Sequence, residues 1–255
     1  MTCPGIPYRR NELEQVCNLM RKVFNTWIRL LLIGAIVLAL VPPASARKGR
    51  HPTDLSEILS RMSEASKRLK TVSANLEYTK VTVLVDDKST ESGQLYFRHG
   101  KTPEIRIDIQ KPEHKVMLFK RNKGEIFLPK INQVQEFNLE QKSDLVQQFL
   151  LLGFGTDGNE LKKAYAVNYL REEDLEGDTV ALLELTPRQS NVTAQITKIQ
   201  IWINEESWLP AQQQFFEPGG DYLIATYSGV KVNRILPGSD FELNAPGNAK
   251  WVKMN

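Results

Sequence analysis

Apolar and polar positions alternate with a period of two over much of the chain from residue 74 onward, which predicts β-strands. The clearest case is Ile105, Ile107 and Ile109, which alternate with charged or amide side chains. Such a strand has one buried and one solvated face. Polar turns containing Asp, Asn or Gly separate the strands and predict successive hairpins. Strands are expected at 76–85, 94–98, 105–110, 116–121, 125–128, 167–171, 179–186, 194–204, 211–216, 222–227 and 230–235.

Three stretches show helical rather than strand character. Thr53 and Asp54 can cap a helix whose apolar positions recur every three to four residues as far as Leu69. Residues 143–152 are apolar on nearly all sides, and a shorter helix is expected near 159–164. Because the neighbouring segments are strands, the apolar side of each helix is expected to lie on the sheet.

These elements predict a mainly β domain with a few helices, formed by residues 54–255. About ten or eleven strands follow one another without a repeat or a linker. A sheet of that size curls strongly or closes. The expected architecture is therefore a curved antiparallel β-barrel with helices covering its mouth.

Residues 1–46 have the pattern of a signal peptide. Cations precede a twelve-residue apolar stretch, 30–41, and Ala44-Ser45-Ala46 offers a cleavage site. Twelve residues are too few to span a bilayer as a helix, although an uncleaved anchor is the alternative. Met20 provides a second start, which makes 1–19 an upstream extension. The expected product is a soluble periplasmic protein with a short disordered lead-in, 47–53.

Charge and cysteine content narrow the possible functions. The leader holds both cysteines, Cys3 and Cys17, and the whole cationic excess of +3, so residues 47–255 carry 28 cations and 28 anions. A balanced chain does not favour nucleic-acid binding, which requires a cationic surface. Loss of both cysteines excludes disulfides and thiolate metal sites from the processed protein.

No set of residues predicts catalysis, a metal or a cofactor. Glycines 153, 155 and 158 satisfy G-x-G-x-x-G, but a nucleotide site needs a strand before this motif, and an apolar helix is expected there. His51, His99 and His114 show no metal-ligand spacing. An enzyme is therefore the least favoured class, and the glycine-rich stretch is expected to be a loop hinge.

The quantity of apolar surface is the informative feature. A curved sheet with such an interior holds either a packed core, which is the usual case, or an apolar ligand. Residues 149–154, within the segment FLLLGFG, form an apolar stretch beside glycines, as a movable lid would. Candidate lid residues are Phe149, Leu150, Leu152 and Phe154. Candidate cavity residues are Leu76, Tyr78, Leu95, Phe97, Ile105, Ile107, Ile109, Val116, Leu118, Phe127, Ile199, Ile201 and Phe215.

The order of several short segments resembles the outer-membrane lipoprotein carrier (LolA-like) family, over about residues 55–245. The segments are the helix at 57–72, GQLYF at 93–97, PEIRID at 103–108, KGEIFLP at 123–129, and IWIN at 201–204 before WLP at 208–210. The resemblance implies an unclosed antiparallel barrel. It also implies a monomeric, non-enzymatic carrier that accepts lipoprotein acyl chains from an inner-membrane ABC transporter and passes them to an outer-membrane receptor.

One feature departs from the family pattern, and one alternative remains open. Many members place an arginine before the strand proline to tether the lid, whereas this chain has Lys101-Thr102-Pro103. Arg98 and Arg106 are the nearest substitutes. The same fold also serves sensing modules that bind mislocalised lipoproteins and act on an anti-sigma or envelope-stress partner, and this is the alternative function.

Overall fold

The computed structural model describes residues 54–120, 123–139, 152 and 154–254. The predicted leader, start site and lead-in lie outside these residues, as do Phe149 and Leu150. Residues 51–255 form one compact unit. Within the described residues, no helix is long and apolar enough to cross a lipid bilayer.

Three α-helices and twelve β-strands follow one another along the described chain, apart from short 3-10 turns. They are α1 (Leu55–Arg68), β1 (Thr71–Thr82), β2 (Asp87–Arg98), β3 (Glu104–Lys111), β4 (Lys115–Lys120), β5 (Lys123–Leu128), β6 (Gln133–Asn138), α2 (Gly158–Ala164), β7 (Tyr165–Leu175), β8 (Asp178–Pro187), α3 (Ser190–Thr193), β9 (Lys198–Asn204), β10 (Pro210–Phe216), β11 (Tyr222–Val232) and β12 (Lys250–Met254).

All twelve strands belong to one sheet in the order β12-β6-β5-β4-β3-β2-β1-β11-β10-β9-β8-β7. Neighbours pair antiparallel except β12, which lies parallel to β6. β1 pairs with both β2 and β11, so the two halves of the chain meet at the centre of the sheet. Because β7 and β12 are its two edges, the sheet is curved but unclosed. The predicted fold class is confirmed.

Several strand boundaries differ from the sequence prediction. The strand expected at 76–85 is β1, which ends at Thr82, and Val83–Val85 form a 3-10 turn instead of continuing the strand. β6 and β12 were not predicted, which brings the number of strands to twelve. The two strands expected after residue 222 form the single strand β11. The strand expected to begin at Ala194 begins instead at Lys198, because residues 190–193 form α3.

Helix α1 packs on the inner face of the sheet, as its amphipathic pattern predicts. The Asp54 carboxylate accepts a hydrogen bond from the Glu57 N–H at 2.9 Å and caps the first turn. Ile58, Leu59 and Met62 are buried in one cluster with residues of β8, β9 and β10. The half of the sheet around β7–β10 is therefore filled by the protein's own side chains.

A second apolar layer covers the outer face of the opposite half. Val116 and Leu118 pair across from Asp108 and Arg106, so they point away from the sheet interior. They cluster with buried residues of β6 and of the C-terminal segment, among them Leu243. The last residues of the described chain thus bury a face that would otherwise be exposed.

Gly93 permits a close approach of β2 and β3 where their register shifts. A Cβ atom at this position would lie 2.0 Å from the carbonyl oxygen of Asp108. Backbone cannot yield as a side chain does, so we expect Gly93→Ala to lower the free energy of unfolding by about 1–3 kcal/mol.

Urea unfolding followed by circular dichroism measures this change. Gly219→Ala is the matched control, because nothing lies within 4 Å of its Cβ position and its φ is not positive. A Gly93→Ala protein as stable as the control would contradict the assigned close approach.

Candidate functional site

A cavity of about 720 Å³ lies on the inner face of the sheet, in the half that α1 leaves uncovered. Strands β1–β4 form one wall and β10–β11 the other. Six of the thirteen residues predicted to line a cavity lie on its surface: Leu76, Tyr78, Leu95, Ile107, Ile109 and Phe215. Met117, Ile196, Leu223 and Ala225 add further apolar surface. The space is within the size range of sites for small apolar ligands.

The other seven predicted residues lie elsewhere. Phe97 and Ile105 are buried on the inner face beyond the cavity, in a cluster with Phe154. Ile199 and Ile201 pack in the cluster that contains α1. The remaining three, Val116, Leu118 and Phe127, belong to the apolar layer on the outer face.

Charged side chains mark the end at which the cavity meets solvent. The Lys115 ammonium donates to the Glu91 carboxylate at 2.7 Å, and Glu217 lines the same end. Burial, together with Glu91 and Glu217, raises the pKa of Tyr78 to about 12. The tyrosine is therefore neutral at physiological pH. We call this end, with Glu91, Lys115 and Glu217, the mouth.

Gln213 places a buried amide in the cavity wall. Its side chain is 1% exposed, and its Oε1 accepts a hydrogen bond from the Tyr227 hydroxyl at 2.8 Å. Its Nε2 donates to the backbone carbonyl of Leu152. Burial raises the pKa of Tyr227, so this hydroxyl remains a donor. A buried polar pair thus joins the sheet to one of the predicted lid residues.

Leu152 and Phe154, the two predicted lid residues that the structure describes, are both buried. Phe154 packs edge-on against Tyr227, with ring centroids 4.9 Å apart. The Ser66 hydroxyl of α1 donates to the Gly155 carbonyl at 2.6 Å. These contacts hold the segment against both α1 and the sheet.

The glycines after Phe154 serve packing. Gly155 has a φ of 72°, in the left-handed region that favours glycine. A Cβ at Gly158 would lie 2.5 Å from the carbonyl oxygen of Leu59. The start of α2 therefore approaches α1 closely, which accounts for these two glycines without a nucleotide.

Arg98 and Arg106, the predicted tether residues, point to the outer face. Arg98 is paired with Glu104, and its guanidinium lies 4.1 Å from the centroid of the Phe241 ring. Arg106 donates to Asp108 at 2.8 Å. The inner-face hydrogen bond to Leu152 comes instead from Gln213.

Sequence reasoning missed the polar groups of the site. Gln213 and Phe215 lie on the same face of β10. The sequence signal for Gln213 was therefore a polar residue at a position where the alternation predicts an inward-pointing side chain. Glu91 and Lys115 come together only through the pairing of three strands. Among the described residues, no group of three His, Cys, Asp or Glu side chains is arranged to hold a metal ion.

Comparisons with known proteins agree with this architecture. A family model described as "Outer membrane lipoprotein carrier protein LolA" matches residues 67–244. The outer-membrane lipoprotein carrier protein of Bordetella avium (strain 197N) is 22% identical over 222 residues, covering 87% of this chain and 96% of that protein.

Solved structures of low sequence identity share the fold. An uncharacterized conserved protein from Thermus thermophilus has a TM-score of 0.51 at 12% identity, covering 78% of this chain and 98% of that chain. MucB has a TM-score of 0.50 at 14% identity, covering 79% and 66%. Since the family model spans more than half of the 255 residues, the chain belongs to the outer membrane lipoprotein carrier family.

Proposed function

We propose that this protein is a periplasmic carrier that shields the acyl chains of a lipoprotein or related lipid and moves them from the inner to the outer membrane. The observation that carries the proposal is a largely apolar cavity, charged only at its mouth, beside a core that the protein's own side chains fill. An inner-membrane ABC transporter would supply the cargo and an outer-membrane receptor would take it. No covalent step is needed, so the protein is proposed to act as a binding protein.

The energetics of hydrocarbon explain why such a carrier needs an enclosed site. Each methylene removed from water contributes about 0.8 kcal/mol, so a sixteen-carbon chain represents about 13 kcal/mol. If a methylene takes roughly the 30 Å³ of a water molecule, the 720 Å³ cavity holds on the order of twenty methylenes. That capacity suits one long acyl chain.

Cargo with two or three acyl chains requires more space than this. The adjoining apolar residues are Leu152 and Phe154, and their displacement would extend the cavity towards Phe97. We assign the tether of this segment to Gln213, whose amide donates to the Leu152 carbonyl. A neutral hydrogen bond contributes about 1 kcal/mol net, which suits a closure that must reopen.

A sensing module remains the second candidate. It would use the same cavity to detect an acyl group and would act on an anti-sigma or envelope-stress partner. MucB, which shares the fold, has been solved in complex with MucA(peri). The two candidates predict different partners for the same ligand, so partner capture separates them.

The first test is the identity of the bound molecule. We expect native mass spectrometry of the protein, released gently from the periplasm, to detect a co-purifying lipid or lipoprotein. Crosslinking in the same cells is expected to capture a transporter or receptor. Capture of a membrane-bound signalling protein alone would favour the sensor, and a consistently empty protein would count against both functions.

Filling the cavity is a sharper test. Ala225 lines the cavity, whereas Thr226, the next residue of β11, points to the other face. We expect Ala225→Trp to weaken binding of the fluorescent fatty acid cis-parinaric acid by about tenfold or more, because an indole occupies the space of several methylenes. Thr226→Trp is the matched control and is expected to bind normally. Equal binding by both variants would place the ligand elsewhere.

The tether assignment predicts a local change. Gln213→Leu leaves the Leu152 carbonyl and the Tyr227 hydroxyl without this partner, which costs about 1–3 kcal/mol. We expect faster hydrogen exchange in the peptide around residues 154–158, measured by mass spectrometry. Tyr227→Phe keeps the hydrogen bond to Leu152, so its exchange there is expected to stay close to that of the unchanged protein. Identical exchange in all three proteins would rule out the tether.

A further inference from the structure

One rim of the sheet carries both the mouth of the cavity and several hairpin turns. Because the strands are antiparallel, the turns β1–β2, β3–β4, β5–β6 and β10–β11 all lie at this end. Glu217 and Pro218 in the β10–β11 turn line the cavity. The β1–β2 turn is joined to that same turn, since the Val83 N–H donates to the Asp221 carboxylate at 2.9 Å.

The β1–β2 turn exposes three consecutive apolar residues. Val83, Leu84 and Val85 are 53%, 93% and 68% exposed. They form a single 3-10 turn closed by the Asp86 N–H, which donates to the Val83 carbonyl at 3.3 Å. Asp86 then adopts a left-handed conformation with a φ of 51°. The turn is thus an ordered structure that presents apolar side chains to water, at a cost in solvation. We call Val83–Val85 the tip.

We propose that the tip inserts into the surface layer of a lipid bilayer and seats the mouth of the cavity against the membrane. The turn is convex and apolar, with Leu84 at its apex. A lipid bilayer can deform around such a shape, so no preformed pocket is needed to receive it. Asp86 and Asp87 follow directly and stay in water, so the insertion is shallow. Lys80 and Lys88 flank the tip and are exposed, so their ammonium groups can reach lipid phosphates.

A second apolar point on the same rim supports a planar target. Ile131, in the β5–β6 turn, is 60% exposed. It is separated from the tip along the rim by the β3–β4 turn, where Glu113 pairs with Lys130 at 3.0 Å. Exposed apolar residues at two separate places on one rim are compatible with contact to a continuous apolar surface, such as a lipid bilayer.

This inference goes beyond the proposed carrier function because it concerns where the mouth is placed. The tip residues do not line the cavity, so membrane docking and cargo binding are separately testable. Holding the mouth against the membrane would serve a carrier, because an acyl chain leaving the cavity would enter the hydrocarbon of the bilayer without crossing exposed water.

The test is flotation of the purified protein with vesicles made of equal parts phosphatidylethanolamine and phosphatidylglycerol. We expect Leu84→Asp to reduce vesicle binding by about tenfold or more, because insertion would have to desolvate a carboxylate. Ile235→Asp is the matched control: Ile235 is 97% exposed but follows β11 at the opposite end of β1. Equal binding by Leu84→Asp and the unchanged protein would overturn the proposal.

Hydrogen exchange gives a local readout that binding through other residues does not change. We expect vesicles to slow exchange in the peptide around residues 80–90 of the unchanged protein and not in Leu84→Asp. Unaltered exchange there, or slowing that requires an added membrane protein, would contradict docking on lipid. Retention of cis-parinaric acid by Leu84→Asp would separate this result from a failure of the cavity.

Discussion

The inner face of the sheet is larger than the helices of the described chain can cover, and the remaining features of the site follow from this constraint. Helix α1 has fourteen residues and packs, together with α2, in the cluster around β8–β10. The inner face of β1–β4 has no helix of comparable length among the described residues. Among the described residues, apolar side chains there gain burial from one another and from neighbours such as Phe154 and Leu209. A ligand would bury more of their surface.

The division between a filled half and an open half allows one domain to be both stable and receptive. Burial of Ile58, Met62 and their neighbours stabilises the fold independently of the cavity. The cavity wall can therefore keep unused apolar surface without unfolding the domain. Gln213 illustrates the balance, since a buried amide adds little net stability but becomes costly if its partners leave. The hydrogen bond from Gln213 therefore favours one position of Leu152 but is weak enough to be broken.

Much of the fold was predictable because its determinants are local. The period-two pattern identified most strands, and the capped amphipathic helix was identified as α1. β6 and β12 were missed because QVQEFN has only two apolar residues and KWVKM does not alternate regularly. These two segments also pair with each other although they are far apart in the chain. Some of the predicted cavity residues lie outside the cavity for a related reason. Alternation shows that Val116 and Leu118 share a face, but only the register against Asp108 and Arg106 shows which face it is.

The position of the tip relative to the mouth joins these observations. Long strands β1 and β2 place the apex of their hairpin beyond Tyr78 and Glu91, the last of their residues on the cavity surface. The hydrogen bond from Val83 to Asp221 keeps this apex beside the β10–β11 turn. An exposed leucine elsewhere on the surface would need no explanation. Three adjacent apolar residues held at the rim of an apolar cavity are different, because one membrane contact would bury the tip and bring the mouth to the phase that its proposed cargo prefers.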